Sequence, residues 1–116
     1  MGSFEQSTPI LRLASGPLSG QIFDLKTTLR IGRHPFNEIS LSDPALSRYH
    51  CWVAFQEGKA VVEDLASVNG TSVNGVRIEG RFALKPGDVI RAGSTEFVVE
   101  STILAPETPA PLAESA

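Results

Sequence analysis

The sequence predicts an all-β sandwich. Apolar and polar residues alternate in about ten short segments, and turn-forming residues separate the segments every 8 to 12 residues or so, as in antiparallel sandwiches. No apolar pattern with helical spacing extends beyond one turn. The chain has 116 residues, of which 41 % are hydrophobic, and this is enough for one core and therefore for a single domain.

The first half of the chain contains five predicted strands, and the one at 50–56 has the clearest pattern. Cys51, Val53 and Phe55 share one face, which we assign to the core, and Trp52 falls on the opposite face. Trp52 is therefore either part of a contact surface or a ring lying flat on a neighbouring strand. The other four predicted strands are 10–13, 21–25, 28–32 and 39–41.

Strong turn signals divide the second half. Asn74-Gly75 suits a type I′ turn, because both positions need positive φ, and we expect it to be structural. Lys85-Pro86-Gly87-Asp88 is a second turn. The predicted strands around these turns are 60–65, 71–73, 76–78, 81–84, 89–91 and 95–101.

Composition changes at both ends of the chain. Residues 1–8 are small and polar, which is typical of a flexible leader, and 103–116 is rich in Ala, Pro, Glu, Thr and Ser, which is typical of a linker or disordered tail. The folded domain is expected at 9–102.

Charge and hydropathy exclude several classes of function. The net charge of −3 argues against nucleic-acid binding, which needs a basic face, whereas a single phosphate needs only a few focused arginines. No stretch reaches the roughly 18 apolar residues of a membrane span, and no signal peptide is apparent. The lone Cys51 cannot form an internal disulfide. These observations favour a cytoplasmic protein that does not bind membranes.

Few residues are available for catalysis. A nucleophile would need a base nearby, and the chain offers only His34, His50 and Cys51. His50 and Cys51 are adjacent on a predicted strand, so their side chains point to opposite faces. We therefore expect no enzymatic activity, no metal site and no cofactor.

Three loops carry residues that suit a phosphate. Ser47 offers a hydroxyl and Arg48 offers a planar fork of donors. The ring nitrogens of His50 can fix the backbone of the turn that carries both residues. In an antiparallel sandwich successive loops alternate between the two ends, so this loop and the one carrying Asn69 share an end. By the same rule Arg33 would lie at the other end. The segment 39–41 is short and the arginine side chain is long, so Arg33 can still reach the end that carries Ser47.

The motif set resembles the forkhead-associated (FHA) domain from about residue 9 to residue 101. The matching motifs are Gly32-Arg33, Ser47-Arg48-Tyr49-His50, Asp64-Leu65, Asn69-Gly70-Thr71, Asn74-Gly75 and the segment 84–90. The resemblance implies a β-sandwich of about eleven short strands, with loops at one end that bind phosphothreonine peptides without catalysis. Its partners would be phosphothreonine-containing proteins, the substrates of Ser/Thr kinases, and the domain would dock a host or partner protein in kinase signalling.

The same resemblance implies roles for individual residues. Arg33 and Ser47 would contact the phosphate, Arg48 would add a further phosphate contact, and Asn69 would hydrogen-bond the peptide main chain. A second group would support the site structurally, and it consists of Gly32, His50 and Gly70.

One position departs from the family pattern. The residue before Asn69 is often Thr or Ser in FHA domains, and here it is Val68. This loss of a hydroxyl, together with any exposed surface of Trp52, leaves a second hypothesis open: a phosphate-independent interaction or assembly domain on the FHA fold. Ala45 and Leu46 are the candidates for reading a ligand side chain beyond the phosphothreonine.

Overall fold

The computed structural model describes residues 8–101, which form eleven strands and no helix. The predicted β-sandwich is thus confirmed. The strands are β1 (Ile10–Leu13), β2 (Ile22–Asp24), β3 (Leu29–Gly32), β4 (Ile39–Ser40), β5 (Cys51–Gln56), β6 (Lys59–Asp64), β7 (Thr71–Val73), β8 (Val76–Arg77), β9 (Arg81–Leu84), β10 (Val89–Ala92) and β11 (Thr95–Glu100). Most predicted bounds agree to within a residue or two.

The strands form two sheets. One has six strands in the order β2-β1-β11-β10-β7-β8, and the other has five in the order β4-β3-β5-β6-β9. Inward-facing residues of both sheets make one apolar core, because alternate residues of each strand point to the same face. The fully buried side chains include Leu11, Ile31, Val53, Ile90 and Phe97.

Cys51 belongs to this core. Its side chain is completely buried, and burial raises the pKa of its thiol to about 12. A thiol that stays protonated at neutral pH is a poor nucleophile. Cys51 is therefore a small core residue.

Trp52 lies on the outer face of the five-stranded sheet, where it is half-buried. The guanidinium of Arg81 lies 5.2 Å from the centre of its ring, within cation–π range. The side chain of Arg81, on the edge strand β9, thus covers part of the Trp52 ring, which remains half-buried.

The pairing of β3 with β4 differs from the antiparallel pattern assumed from the sequence. These strands are parallel, with Ile31 opposite Ile39 and Gly32 opposite Ser40. Residues 33–38 carry the chain back before β4 begins, so β3 and β4 both run toward the same end of the sandwich. The loop-alternation rule therefore does not apply, and Arg33 lies at the same end as Ser47.

The Asn74-Gly75 turn lies at the opposite end. Both residues have positive φ, 54° and 84°, as a type I′ turn requires. The side chain of Asn74 donates to Asp88 and accepts from the Val89 amide, at 2.9 Å in each case. Its structural role is confirmed.

Residues 1–7 and 102–116, which include nearly all of the expected leader and the whole of the expected tail, lie outside the described residues. Within 8–101, no helix is long and apolar enough to cross a membrane.

Candidate functional site

Three loops meet at one end of the sandwich, which we call the apical end. They follow β3, β4 and β6, and they carry four exposed or half-buried polar residues that we call the apical surface: Arg33, Ser47, Arg48 and Asn69. The structure thus brings together all four residues that the sequence proposed for ligand binding. Hydrogen bonds connect the three loops, although the loops are separated along the chain.

Arg33 joins the first two loops. Its backbone amide donates to the Ser47 carbonyl at 3.1 Å, and its Nε donates to the Leu46 carbonyl at 2.7 Å. The Nε bond fixes the direction of the side chain and leaves the two terminal nitrogens of the guanidinium available. Within residues 8–101, neither Arg33 nor Arg48 is paired with a carboxylate. Both can therefore bind an anion without first breaking an ion pair.

Gly32 allows these loops to approach each other closely. A Cβ at this position would lie 2.8 Å from Nδ2 of Asn37 and closer still to the Arg48 carbonyl oxygen. A contact under about 3 Å between a carbon atom and a non-bonded nitrogen or oxygen atom is repulsive. Any side chain at Gly32 would push apart the loops that carry Arg33 and Arg48.

Asn37 is a supporting residue that sequence reasoning missed. Its side chain is buried, and its Nδ2 donates to the His34 carbonyl at 2.8 Å and to the Arg48 carbonyl at 2.7 Å. The first bond closes the loop after β3 on itself, and the second ties it to the loop after β4. An asparagine in a loop carries no sequence signal beyond turn preference, so only the fold shows this role.

His50 is completely buried beneath Ser47. Its Nδ1 accepts from the Ser47 amide at 3.0 Å, and its Nε2 lies 2.8 Å from the Gly70 carbonyl oxygen. A carbonyl can only accept, so Nε2 carries the proton and the ring is the neutral Nε2–H tautomer. The imidazole thus connects the loop of Ser47 with the loop of Asn69.

The Ser47 hydroxyl reaches the third loop. Its Oγ accepts a hydrogen bond from the Val68 amide at 2.9 Å, while Nδ2 of Asn69 donates to the Ala45 carbonyl at 2.8 Å. Because Oγ accepts in this bond, its own proton is free to be donated to a ligand. The Oδ1 atom of Asn69 has no partner within the described part of the chain, so it too can accept from a ligand.

Asp64 organises the loop that carries Val68. Its carboxylate accepts from the Ser67 hydroxyl at 2.5 Å and amide at 3.1 Å, and from the Thr71 hydroxyl at 2.7 Å. Burial alone would raise the pKa of Asp64, but these hydrogen bonds outweigh it and the pKa is lowered. Ser67 in turn accepts from the Gly70 amide at 2.9 Å, which closes the turn.

The sequence points to Ala45 and Leu46 as candidates for reading a ligand side chain. For Leu46 this is wrong, because its side chain is only 2 % exposed and belongs to the core. Ala45 is half-buried and presents its carbonyl to Asn69.

The apical surface has an apolar margin. Val68 is 84 % exposed and Phe36 is 75 % exposed, and both lie in the apical loops. The Phe36 ring packs edge-on against His34, whose ring stacks on Tyr49 at a centroid distance of 5.0 Å.

The family model for the FHA domain matches residues 29–93, which include every residue of the apical surface. The chain belongs to the FHA-domain family. An FHA domain-containing protein of Arabidopsis thaliana is 34 % identical over 104 residues, covering 84 % of this chain and 27 % of that protein. The chain thus spans about a quarter of the length of this relative.

Several solved structures are similar to this FHA domain, and two of them share about a third of its residues. One comes from a structural and functional study of phosphothreonine-dependent FHA-domain interactions, and it has a TM-score of 0.75 with 32 % identity, covering 84 % of this chain and 100 % of that one. The other is Mycobacterium tuberculosis EmbR in complex with a low-affinity phosphopeptide, with a TM-score of 0.76 and 33 % identity, covering 86 % of this chain and 26 % of that one.

Proposed function

We propose that this FHA domain binds phosphothreonine peptides at the apical surface and so docks a host or partner protein onto the substrates of Ser/Thr kinases. The single observation that carries the proposal is the convergence of Arg33 and Ser47 through the bonds of Arg33 to the Leu46 and Ser47 carbonyls. These bonds hold the Arg33 guanidinium against the backbone that precedes Ser47, whose hydroxyl proton is available. Such donors match the oxygens of a phosphate monoester.

The other members of the surface support the same ligand. Arg48 adds a second exposed guanidinium without a carboxylate partner in the described residues, and Asn69 offers an acceptor to a peptide amide. Each charge-assisted hydrogen bond is worth roughly 1.5 to 3 kcal/mol. Three such bonds with a few main-chain contacts give affinity in the micromolar range once association entropy is subtracted. We infer reversible docking with no catalytic step.

A second candidate function rests on the apolar margin. With Val68 in place of a hydroxyl residue and Phe36 also exposed in the apical loops, the same end of the domain could hold an unmodified apolar segment of a partner protein. This candidate predicts binding that does not depend on a phosphate.

Calorimetric titration separates the two candidates. The ligands are a degenerate phosphothreonine peptide pool and its matched phosphoserine and unphosphorylated pools. We expect heat only with phosphothreonine, and its loss in Arg33→Ala, whereas Arg12→Ala keeps it because Arg12 is paired with Glu100 on β11, away from the apical loops. Binding of all pools alike, unaffected by Arg33→Ala, would establish the phosphate-independent candidate.

A further inference from the structure

A small polar cavity of about 160 Å³ lies next to the apical surface, where the loop after β6 meets the edge of the six-stranded sheet. It is lined by Asn69, Gly70, Ser72, Arg77 and Arg91, among others. Ser72 on β7 stands opposite Arg77 on β8 and also opposite Arg91 on β10. Directly opposed residues of neighbouring strands share a face, so both arginines flank the Ser72 side chain.

Arg77 differs from the other strand arginines. Arg12, Arg30, Arg81 and Arg91 each form an ion pair with a glutamate, at 2.6 to 3.3 Å. Arg77 is exposed and has no carboxylate partner within residues 8–101. It shares this property with Arg33 and Arg48, the two arginines of the apical surface.

The guanidinium of Arg77 is packed against the apical loop. A Cβ on Gly70 would lie 2.6 Å from the central carbon of this guanidinium, so the group lies directly over the glycine that follows Asn69. Val68, whose amide donates a hydrogen bond to the Ser47 hydroxyl, lies only two residues before Gly70. Consecutive Cα atoms are about 3.8 Å apart, so this distance is short. A peptide held at Ser47 and Asn69 would therefore reach Arg77 within a few residues.

We propose that Arg77 binds an acidic group of the same peptide, either a carboxylate or a second phosphate. The inference rests on the proposed function. Arg77 supplies the free guanidinium and Ser72 a neutral donor, while Arg91 keeps its bond to Glu96 and adds positive charge nearby. The domain would thus select acidic residues near the phosphothreonine, although its net charge of −3 repels acidic ligands at long range.

The test is a positional scan by calorimetry. One phosphothreonine peptide in an alanine background carries a single aspartate, moved one position at a time along both flanks. We expect one position, or two neighbouring ones, to raise affinity about two- to fivefold over the all-alanine peptide, the effect of one favourable exposed ion pair. In Arg77→Gln this gain disappears while affinity for the all-alanine peptide is unchanged, and Arg12→Gln, the matched control, keeps the gain.

A second arm identifies the acidic group. Phosphoserine replaces aspartate at the preferred position, and a larger gain that Arg77→Gln also abolishes assigns the site to a second phosphate. An equal or smaller gain assigns it to a carboxylate.

The outcomes distinguish the two proposals. If wild-type protein, shown to be folded, binds no phosphothreonine peptide, the proposed function fails. If it binds every peptide of the scan equally, or keeps the positional gain in Arg77→Gln, the role of Arg77 is overturned and the proposed function stands. Thermal unfolding of Arg77→Gln controls for folding.

Discussion

The amide of Val68 donates a hydrogen bond of 2.9 Å to the Ser47 hydroxyl oxygen. The residue at this position thus takes part in the site through its backbone, although its side chain is 84 % exposed and apolar. The bond orients the serine hydroxyl and holds the loop after β6 against the loop after β4. It also separates two questions: what the Ser47 hydroxyl contributes, and what a hydroxyl at Val68 would add.

Ser47→Ala answers the first question. It removes the hydroxyl that we propose donates to the phosphate and leaves the Val68 amide without its partner, so we expect phosphothreonine-peptide affinity to fall about 10- to 100-fold, corresponding to one charge-assisted hydrogen bond. Calorimetry measures the effect. Thr27→Ala deletes an exposed hydroxyl in the turn between β2 and β3, at the other end of the sandwich, and should have no effect. An unchanged affinity in Ser47→Ala would place the phosphate elsewhere.

Val68→Thr answers the second. Threonine is nearly isosteric with valine, and the side chain is exposed, so the free energy of unfolding should hardly change. If the added hydroxyl reaches the phosphate, affinity rises about three- to tenfold. Val68→Ala is the control, because it removes the apolar side chain without adding a donor. A gain in both variants would show that the valine merely obstructs the ligand.

Much of the fold could be predicted from the sequence because the strands follow a period of two and the turns have clear chemistry. Asn74-Gly75 is an example, since few other pairs adopt two consecutive positive φ values. The placement of Arg33 could not be derived in this way. The parallel pairing of β3 with β4 depends on the path of residues 33–38, which has no periodic signal.

The supporting contacts of the site could not be predicted from the sequence for a similar reason. Asn37 acts through two backbone carbonyls, one of them eleven positions along the chain, and the free guanidinium of Arg77 becomes apparent only when the strand register is known. Conversely, Leu46 is next to Ser47 in sequence but points into the core. Sequence proximity to a site residue does not imply access to the ligand.

Gly32→Ala tests the close approach of the loops. The added Cβ would collide with the Arg48 carbonyl and the Asn37 amide, so we expect a loss of about 1 to 3 kcal/mol in the free energy of unfolding and weaker peptide binding. Urea denaturation measures the first effect and calorimetry the second. Gly58→Ala is the control: its φ is +80° but nothing lies within 4 Å, so it reports backbone strain without collision. Equal peptide affinity in Gly32→Ala and wild type would mean that the loops can separate without loss of the site.

The carboxylate of Asp64 makes the loop after β6 sensitive to acid. Burial tends to raise its pKa, but hydrogen bonds from Ser67 and Thr71 outweigh this, so the folded-state pKa lies below the usual value of 3.8. A lowered pKa means that the ionised carboxylate stabilises the fold above about pH 4, and that this contribution is lost as the pH falls through the folded-state pKa. Asp43 and Asp88 have lowered pKa values as well and add to the same trend.

Urea denaturation between about pH 2 and pH 6 tests the role of Asp64. The free energy of unfolding of the wild type should fall toward low pH, because the unfolded chain takes up protons more readily than the folded chain. Asp64→Asn should be less stable than the wild type near pH 6, since its amide group replaces one accepting oxygen with a donor facing Ser67 and Thr71. The difference between the two proteins should narrow as the pH falls. A constant difference over the whole range would show that the charge of Asp64 does not stabilise the loop.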